Sequence, residues 1–482
     1  YVAEPLSYLI NKSFEIGEVP HSLKVARVYP VFKSGDKSEF SNYRPISVLS
    51  SFSKIFEKVV YQRLSSYLTK ENVLYAHQYG FRSGHETNMA VLQMIDKITE
   101  AIDDNSYSMG VFVDLSKAFD TLDHGILLHK LEHYGIRGVA LKWFKSYLTD
   151  REQFVDYNDA QSRKLKIKTG VPQGSVLGPL LFLIYINDIT AATKYLQLIL
   201  FADDTNIFFQ HRNLKYLIST VNDELESLCN WFKANRLSIN VKKTNFIIFS
   251  SPTKIINIPI NIKIDGSQIT PVTSVKFLGV YIDQYLNWND HIQYISSKIA
   301  KTIGIINKIK YLLNSDTRRL LYNSLILPYL TYCNMLWINA SKFRINRLIV
   351  LQKKIIRIIA GVPFLAHTET LFHKYGLLKL TEIGIFQKLV FMYRFHNNLL
   401  PNSFNNYFQH VHSIHNYGTR GAVNDFFISF ARTNLRKQCF KIAGPKLWNL
   451  LNPHIRQLQS LSSFKSKLKS AILHNLVENL NM

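Results

Sequence analysis

Hydrophobic and polar residues alternate along the first 290 residues in two different periods. Residues 26–32 alternate small apolar and aromatic side chains, which predicts a short strand. Two apolar runs at 196–201 and 206–209 flank the tetrapeptide Ala-Asp-Asp-Thr, a pattern typical of a β-hairpin. The same reasoning predicts strands at 109–115, 244–249 and 275–282, the last interrupted by Gly279, and helices at 122–147 and 221–235. This part of the chain is therefore expected to mix helices and strands.

The pattern changes near Asn287. Apolar residues then recur every three or four positions, at Ile292, Ile295, Ile299, Ile303, Ile306, Ile309 and Leu313. Lysines fall largely on the other faces of the same segment, which predicts a basic amphipathic helix. The remainder, through Met482, is helix-rich in pattern, with breaks at 361–363 and 397–417.

The charge distribution changes at the same place. The formal net charge is +24, and residues 291–482 hold 26 Lys and Arg against five Asp and Glu, a net charge of +21. The first 290 residues are nearly balanced, with a net charge of +3. Such a one-sided excess favours a polyanionic partner, with nucleic acid as the leading candidate. A basic surface that only aids solubility, or an anionic membrane, is the alternative.

Other sites and locations receive less support from the sequence. Residues 320–341 carry no formal charge but include a proline and three asparagines, so buried core is favoured over a membrane span. The chain starts at Tyr1 without a secretory signal, and we expect a piece of a longer reading frame. The cysteines are too far apart for a zinc knuckle or a disulfide framework, at Cys229, Cys333 and Cys439. A solvated loop is favoured over a metal site for His410, His412 and His415.

Carboxylates interrupt two of the apolar runs. Asp203 and Asp204 lie at the tip of the predicted hairpin, where two like charges are unfavourable unless a cation or a basic partner neutralises them. An Asp-rich turn is the alternative for this pair alone. Asp114 lies near the end of another apolar strand. The segment 169–182 starts with a Gly/Pro-rich loop, which can let backbone approach a ligand closely, and runs into an apolar helix. Together these features favour a site for hard divalent cations such as Mg²⁺.

Seven ordered motifs resemble the reverse transcriptases of non-LTR, LINE-type retrotransposons, and jockey-like elements in particular. They are YRPISV (43–48), QYGFR (78–82), FVDLSKAFD (112–120), GVPQGSVLGPLLF (170–182), FADD (201–204), LSINVKKT (237–244) and VKFLGV (275–280). The resemblance implies an α+β, right-hand polymerase with helical fingers, a palm of antiparallel β-sheet and helices, and a helical thumb, plus a basic helix-rich C-terminal region. The corresponding ranges are 1–284 for fingers and palm, 285–360 for the thumb and 361–482 for a C-terminal region without an assigned role.

The resemblance also implies roles for individual residues. Asp114, Asp203 and Asp204 match the catalytic aspartates that bind two Mg²⁺ ions, for which Mn²⁺ is a substitute. The nucleotide-binding positions are Lys33, Arg44, Phe119, Gln173 and Gly174. Lys243 matches a general acid toward pyrophosphate, although Lys242 is beside it. The primer grip is matched by Phe277, Leu278 and Gly279. The alternative is a solvent-facing residue for Lys33 and Arg44, a core aromatic residue for Phe119, and a simple turn for Gln173 and Gly174. It is an ordinary surface lysine for Lys243 and a core strand for the primer-grip residues.

The resulting expectation is an RNA-directed DNA polymerase that extends a DNA 3′-hydroxyl on an RNA template with dNTPs. No membrane partner is expected, and nuclear action follows from the resemblance rather than from a targeting signal. A catalytically inactive or domesticated nucleic-acid-binding remnant is the rival hypothesis. A group II intron maturase or a telomerase-like relative would share the palm but lacks the pairing of the 170–182 and 201–204 motifs.

Overall fold

The computed structural model describes residues 1–413 and 425–474. His415 lies outside these ranges, so the structure does not bear on its part in the predicted loop. The described chain mixes helices and strands, and the predicted α+β class is confirmed. No described helix combines the length and apolar character that crossing a bilayer requires.

The N-terminal part of the chain carries a small outer sheet surrounded by helices. Strand β1 pairs antiparallel with β2 and parallel with β4. Strand β4 also pairs antiparallel with the short strands β5 and β6. The elements up to this point are α1 (Ala3–Ile16), β1 (Val25–Phe32), β2 (Tyr43–Val48), α2 (Ser51–Lys70), α3 (Thr87–Asp103), β3 (Tyr107–Val113), α4 (His124–His133), α5 (Gly138–Leu148), β4 (Glu152–Tyr157), β5 (Ala160–Gln161) and β6 (Leu165–Lys166).

A second, central sheet has the strand order β12-β9-β3-β8-β7 and is antiparallel except at the β12–β9 pair. A β-hairpin, β13–β14, follows it in sequence. The elements of this part are α6 (Gly178–Ile186), β7 (Gln197–Phe201), β8 (Asp204–His211), α7 (Leu214–Ala234), β9 (Asn245–Phe249), β10 (Lys263–Ile264), β11 (Ser267–Gln268), β12 (Thr270–Pro271), β13 (Ser274–Phe277) and β14 (Val280–Asp283).

The central sheet is buried on both faces, which explains why its strands read as continuous apolar runs. In β9, Phe246 and Ile248 point into a core formed with α2 and α4–α7, and Ile247 and Phe249 point into a core formed with α3 and the later helices. Alternate residues of a strand face opposite sides, so one strand contributes to two cores.

The chain after β14 is helical. Its helices are α8 (Asn289–Ile309), α9 (Ser315–Leu325), α10 (Leu327–Thr331), α11 (Asn334–Trp337), α12 (Lys342–Ala360), α13 (Glu369–Lys374), α14 (Leu380–His396), α15 (Asn434–Gln438), α16 (Phe440–Leu450), α17 (Pro453–Arg456) and α18 (Leu461–Leu473). One continuous hydrophobic core joins these helices to α3 and to the β13–β14 hairpin. The proposed division into 1–284, 285–360 and 361–482 stays a prediction.

Two predicted elements are wrong. The single helix expected at 122–147 is broken into α4 and α5 at Gly135, whose φ is +93°. A Cβ at Gly135 would lie 2.3 Å from the hydroxyl of Tyr67, which donates to the Tyr134 carbonyl. The interrupted strand expected at 275–282 is instead the β13–β14 hairpin, turning at Leu278 and Gly279 with φ of +45° and +85°.

Candidate active site

Register in the central sheet brings the three predicted catalytic carboxylates to one end. Val113, the last residue of β3, pairs with Thr205 in β8. In an antiparallel pair the next residue of one strand lies opposite the preceding residue of the other, so Asp114 lies across from Asp204. Phe201 pairs with Asp204 at the end of the β7–β8 hairpin, which leaves Ala202 and Asp203 as its turn.

The backbone of Asp114 is held by the loop that follows α7. Its N–H donates to Oγ1 of Thr244 at 3.3 Å, and its carbonyl accepts from the N–H of Asn240 at 2.8 Å. The Thr244 hydroxyl donates in turn to the Asn240 carbonyl at 3.0 Å. The LSINVKKT motif therefore fixes Asp114, and neither Asn240 nor Thr244 was assigned this role from the sequence.

The turn of the hairpin is held from outside by the QYGFR motif. Oε1 of Gln78 accepts from the N–H of Ala202 at 2.9 Å, and the Tyr79 N–H donates to the Leu200 carbonyl at 2.8 Å. Sequence reasoning recognised this motif but gave its residues no role. The contact joins positions 124 residues apart, and no local pattern in the sequence indicates it.

Desolvation, and after it the crowding of negative charge, raises the pKa values of the hairpin carboxyls. Desolvation in the cleft, Asp203 and Asp114 raise the pKa of Asp204 to about 6. Desolvation and Asp114 also raise the pKa of Asp203, while Arg44 and Lys33 oppose the shift. Asp204 itself is exposed to water at the tip of the hairpin. A nearby cation would therefore stabilise the ionised form of both carboxyl groups.

No residue in the described ranges forms a salt bridge with Asp114, Asp203 or Asp204. The described residues also contain no group of three or more His, Cys, Asp or Glu side chains placed so that they could hold a metal ion. The donor chemistry nevertheless fits a hard divalent cation, which takes oxygen ligands and keeps part of its coordination for water and phosphate. The rise in the pKa values of Asp203 and Asp204, which comes first from desolvation and then from the neighbouring carboxylates, supports this fit.

Lys33 and Arg44 lie on the β1–β2 ribbon. The Lys33 N–H donates to the Asn42 carbonyl at 2.9 Å, and Arg44 pairs with Val31. Both side chains are exposed and close enough to the catalytic end of the sheet to lower the pKa of Asp203. Two exposed cations beside a carboxylate cluster form a suitable place for a triphosphate.

Phe119, Gln173 and Gly174 border the same region. The ring of Phe119 packs on Phe182, with centroids 4.7 Å apart, and its burial is only partial. The side-chain amide of Gln173 donates to the Asp120 carboxylate at 2.8 Å. The backbone carbonyl of Gln173 accepts from the N–H of Ser47 at 2.7 Å. Gly174 has φ of +124°, and a Cβ there would lie 2.4 Å from the Ser47 carbonyl, so the close approach requires glycine.

The predicted primer grip is the turn of the β13–β14 hairpin. Phe277 is buried, and its ring lies 6.0 Å from that of Phe112 in the central sheet. The Leu278 carbonyl accepts a hydrogen bond from the Tyr332 hydroxyl. Tyr332 belongs to a segment to which sequence reasoning assigned no chemistry.

Lys243, the predicted general acid, lies in the loop that fixes Asp114. Its backbone N–H donates to the Asn240 carbonyl at 3.1 Å, and its side chain is exposed. Lys242 beside it is exposed as well, so exposure does not separate the two candidates.

Residues 33–282 match the family model described as reverse transcriptase (RNA-dependent DNA polymerase). This match covers more than half of the chain. The chain belongs to the reverse transcriptase family. The resemblance seen in its motifs is thereby confirmed, and its α+β architecture is that of a right-hand polymerase.

Among curated proteins, this reverse transcriptase is similar to the RNA-directed DNA polymerases of insect mobile elements. It is 29% identical to the probable RNA-directed DNA polymerase from transposon BS of Drosophila melanogaster, over 78% of this chain and 43% of the relative. It is 27% identical to that from mobile element jockey of the same species, over 83% of this chain and 44% of the relative. The chain thus spans less than half the length of these relatives.

Among solved structures, the chain is similar to telomerases. One from Candida albicans, in complex with a fragment of telomeric RNA, matches with a TM-score of 0.41 and 12% identity, over 82% of this chain and 62% of that chain. Another, apo telomerase from Candida tropicalis, matches with a TM-score of 0.41 and 13% identity, over 80% of this chain and 67% of that chain.

Reverse transcriptases generally use divalent metal ions, in keeping with the donor set described above.

Proposed function

We propose that the chain is the RNA-directed DNA polymerase of a non-LTR retrotransposon. It would extend a DNA 3′-hydroxyl along an RNA template with dNTPs, without a membrane partner and within the nucleus. The observation that carries the proposal is the register of the central sheet, which brings to one end three carboxylates without salt-bridge partners among the described residues. Two of them also have raised pKa values. The family match supports the same activity.

Several residues would position the nucleic acid and the nucleotide. Lys33 and Arg44 would bind the triphosphate, because each supplies an exposed cation near Asp203. Phe119 would stand against the sugar, and Gln173 and Gly174 would support the new base pair. Holding the reacting groups in line supplies much of the rate enhancement in such a transfer.

Three carboxylates would neutralise the cations that accompany the reaction. Asp114, Asp203 and Asp204 would hold Mg²⁺, with Mn²⁺ as a substitute, and two bound ions would lower the pKa of the primer hydroxyl and stabilise the charge of the departing pyrophosphate. Lys243 would donate a proton to that pyrophosphate. Phe277, Leu278 and Gly279 would contact the primer strand, and the basic helix α8 would contact the phosphates of the duplex.

Template extension tests the proposal directly. The purified chain, with Mg²⁺, poly(rA)–oligo(dT) and labelled dTTP, should incorporate label, and Asp203→Ala should abolish incorporation. Incorporation by the intact chain that persists unchanged in Asp203→Ala would contradict the assignment of the site. A folded chain that binds the template–primer but incorporates nothing would instead support the inactive remnant.

A further inference from the structure

A buried glutamine outside the β7–β8 hairpin binds the turn that carries Asp203. Oε1 of Gln78 accepts from the N–H of Ala202 and from the N–H of Gly80, each at 2.9 Å. Only 2% of Gln78 is exposed. We infer that Gln78 is a positioning residue for the Asp203–Asp204 turn, an inference that rests on the proposed polymerase function.

The turn requires such an acceptor. Ala202 has φ of +55°, a left-handed conformation that is uncommon for a residue with a side chain. Such a conformation persists only where the surroundings hold it. Ala202 is also buried, so its N–H would lack a partner if Gln78 lost its oxygen. An unpaired buried N–H is unfavourable, and the turn would rearrange to expose it.

The backbone around Gln78 is itself fixed to β7. The Leu200 N–H donates to the His77 carbonyl at 3.0 Å, and the Tyr79 N–H donates to the Leu200 carbonyl at 2.8 Å. Gly80 then passes so close to the turn that a Cβ there would lie 2.3 Å from the Ala202 nitrogen. These contacts place the Gln78 side chain in one position relative to Ala202.

Residues on both sides support this segment. Nη1 of Arg82 donates to the carbonyls of Tyr75 at 2.8 Å and Gln78 at 3.3 Å. The Tyr79 hydroxyl donates to Oγ of Ser403 at 3.3 Å, a contact from the C-terminal helical part of the chain. Gln78, held by these contacts, therefore fixes Ala202 and with it the neighbouring Asp203.

The variant Gln78→Met keeps the length of the side chain and removes the acceptor. We expect amide hydrogen exchange in residues 200–204 to become at least about tenfold faster. Turnover should fall by about tenfold to a hundredfold, because a small displacement of a reacting group has effects of that size. The KM for dTTP and the affinity for template–primer should stay within about twofold, because the proposed triphosphate contacts lie on β1 and β2.

Two further variants make the result specific. Gln352→Met is the matched control, since Gln352 is also a buried glutamine whose Oε1 accepts from a backbone N–H, that of Leu380 at 2.9 Å, and it does not contact the turn or the Gln78 segment. It should leave exchange in residues 200–204 and turnover unchanged. Gln78→Glu retains an acceptor oxygen, so residues 200–204 should be as protected from exchange in this variant as in the unaltered chain. This result can be measured even if Gln78→Met does not fold.

Unchanged exchange in Gln78→Met, the same effect in Gln352→Met, or a folded Gln78→Glu that leaves residues 200–204 unprotected would each overturn the inference. Hydrogen exchange does not need turnover. An intact chain that lacks polymerase activity would therefore refute the proposed function, while the exchange data would still decide whether Gln78 holds the turn.

Discussion

Carboxylates at the catalytic end of the central sheet and carboxylates along α3 have opposite surroundings. Asp96 is buried and accepts from Nη1 of Arg436 at 2.6 Å, with Nζ of Lys441 at 3.5 Å. Asp114, Asp203 and Asp204 have no salt-bridge partner in the described ranges, and desolvation together with the neighbouring carboxylates raises the pKa values of Asp203 and Asp204. One set of acidic residues is neutralised by the fold, and the other is not.

The difference separates structural charges from functional ones. Arg436 and Arg394 of the C-terminal part of the chain form salt bridges with Asp96 in α3 and with Glu86 just before α3. The Arg432 guanidinium donates to the Asp103 backbone carbonyl at 2.8 Å, so part of the positive charge of this region fastens it to α3. The uncompensated set gains nothing for folding and costs stability by mutual repulsion. The metal ions of the proposed function would explain its presence.

The largest expected effect is on catalysis. Asp204→Asn should lower incorporation of dTTP by on the order of 10³-fold, because a metal-binding carboxylate supplies several kcal/mol of charge stabilisation. Its thermal midpoint without metal should equal or exceed that of the unaltered chain, since repulsion with Asp203 is relieved. Steady-state kinetics and calorimetry in EDTA measure the two quantities. A lowered midpoint would show that Asp204 is a structural charge.

The opposite outcome is expected for Asp96→Asn. Removing one partner of a buried pair leaves Arg436 uncompensated and should lower the free energy of unfolding by about 3 kcal/mol. Urea unfolding measures the change, and the double variant with Arg436→Met should recover part of the loss. Turnover per folded molecule should stay within about twofold. A stability equal to that of the unaltered chain would remove the contrast between the two sets.

The set of Asp114, Asp203 and Asp204 could be proposed as catalytic from the sequence because its signal is local. A charge inside an apolar run is visible in the sequence itself, as at Asp114 and Asp203. The partner of Asp96 is 340 residues away, and nothing around Asp96 indicates it. The same distance problem hid the contacts of Gln78 and Tyr332. Gly135 shows another limit, because the period of apolar residues continued across a position where the backbone turns.

The third effect is smaller because the group is less buried. The Asp103 carboxylate accepts from the N–H groups of Arg432 and Thr433 and from the Thr433 hydroxyl, at 2.6–3.1 Å. Asp103→Asn should lower the free energy of unfolding by about 1 kcal/mol, as loss of a charged acceptor does. The matched control is Asp104→Asn, one residue further and exposed, which should change stability by less than about 0.5 kcal/mol. Equal effects in the two variants would argue against the anchoring role of Asp103.

The smallest effect is a pair of pH dependences with opposite signs. The folded pKa of Asp204 is about 6, above the ordinary value of 3.8, so the folded chain binds more protons than the unfolded chain between these values. The contribution of Asp204 to stability therefore falls as pH rises from 4 to 6. Desolvation acts to raise the pKa of Asp103, but hydrogen bonds from Thr433 and Arg432 outweigh it and lower the pKa. Its contribution is present above its ordinary value of 3.8 and is lost as pH falls below that value.

Thermal midpoints in EDTA between pH 3 and pH 8 resolve the two signs. The gain in midpoint of Asp204→Asn over the unaltered chain should be greatest above pH 7 and should vanish as pH falls toward 4. The loss in Asp103→Asn should persist down to pH 4 and shrink only below it. A proton and a metal ion compete for Asp204. Adding Mg²⁺ should therefore reduce the difference in thermal midpoint between Asp204→Asn and the unaltered chain, and it should leave the difference for Asp103→Asn unchanged. A gain in Asp204→Asn that does not change with pH would mean that repulsion at the hairpin is not what distinguishes the two sets.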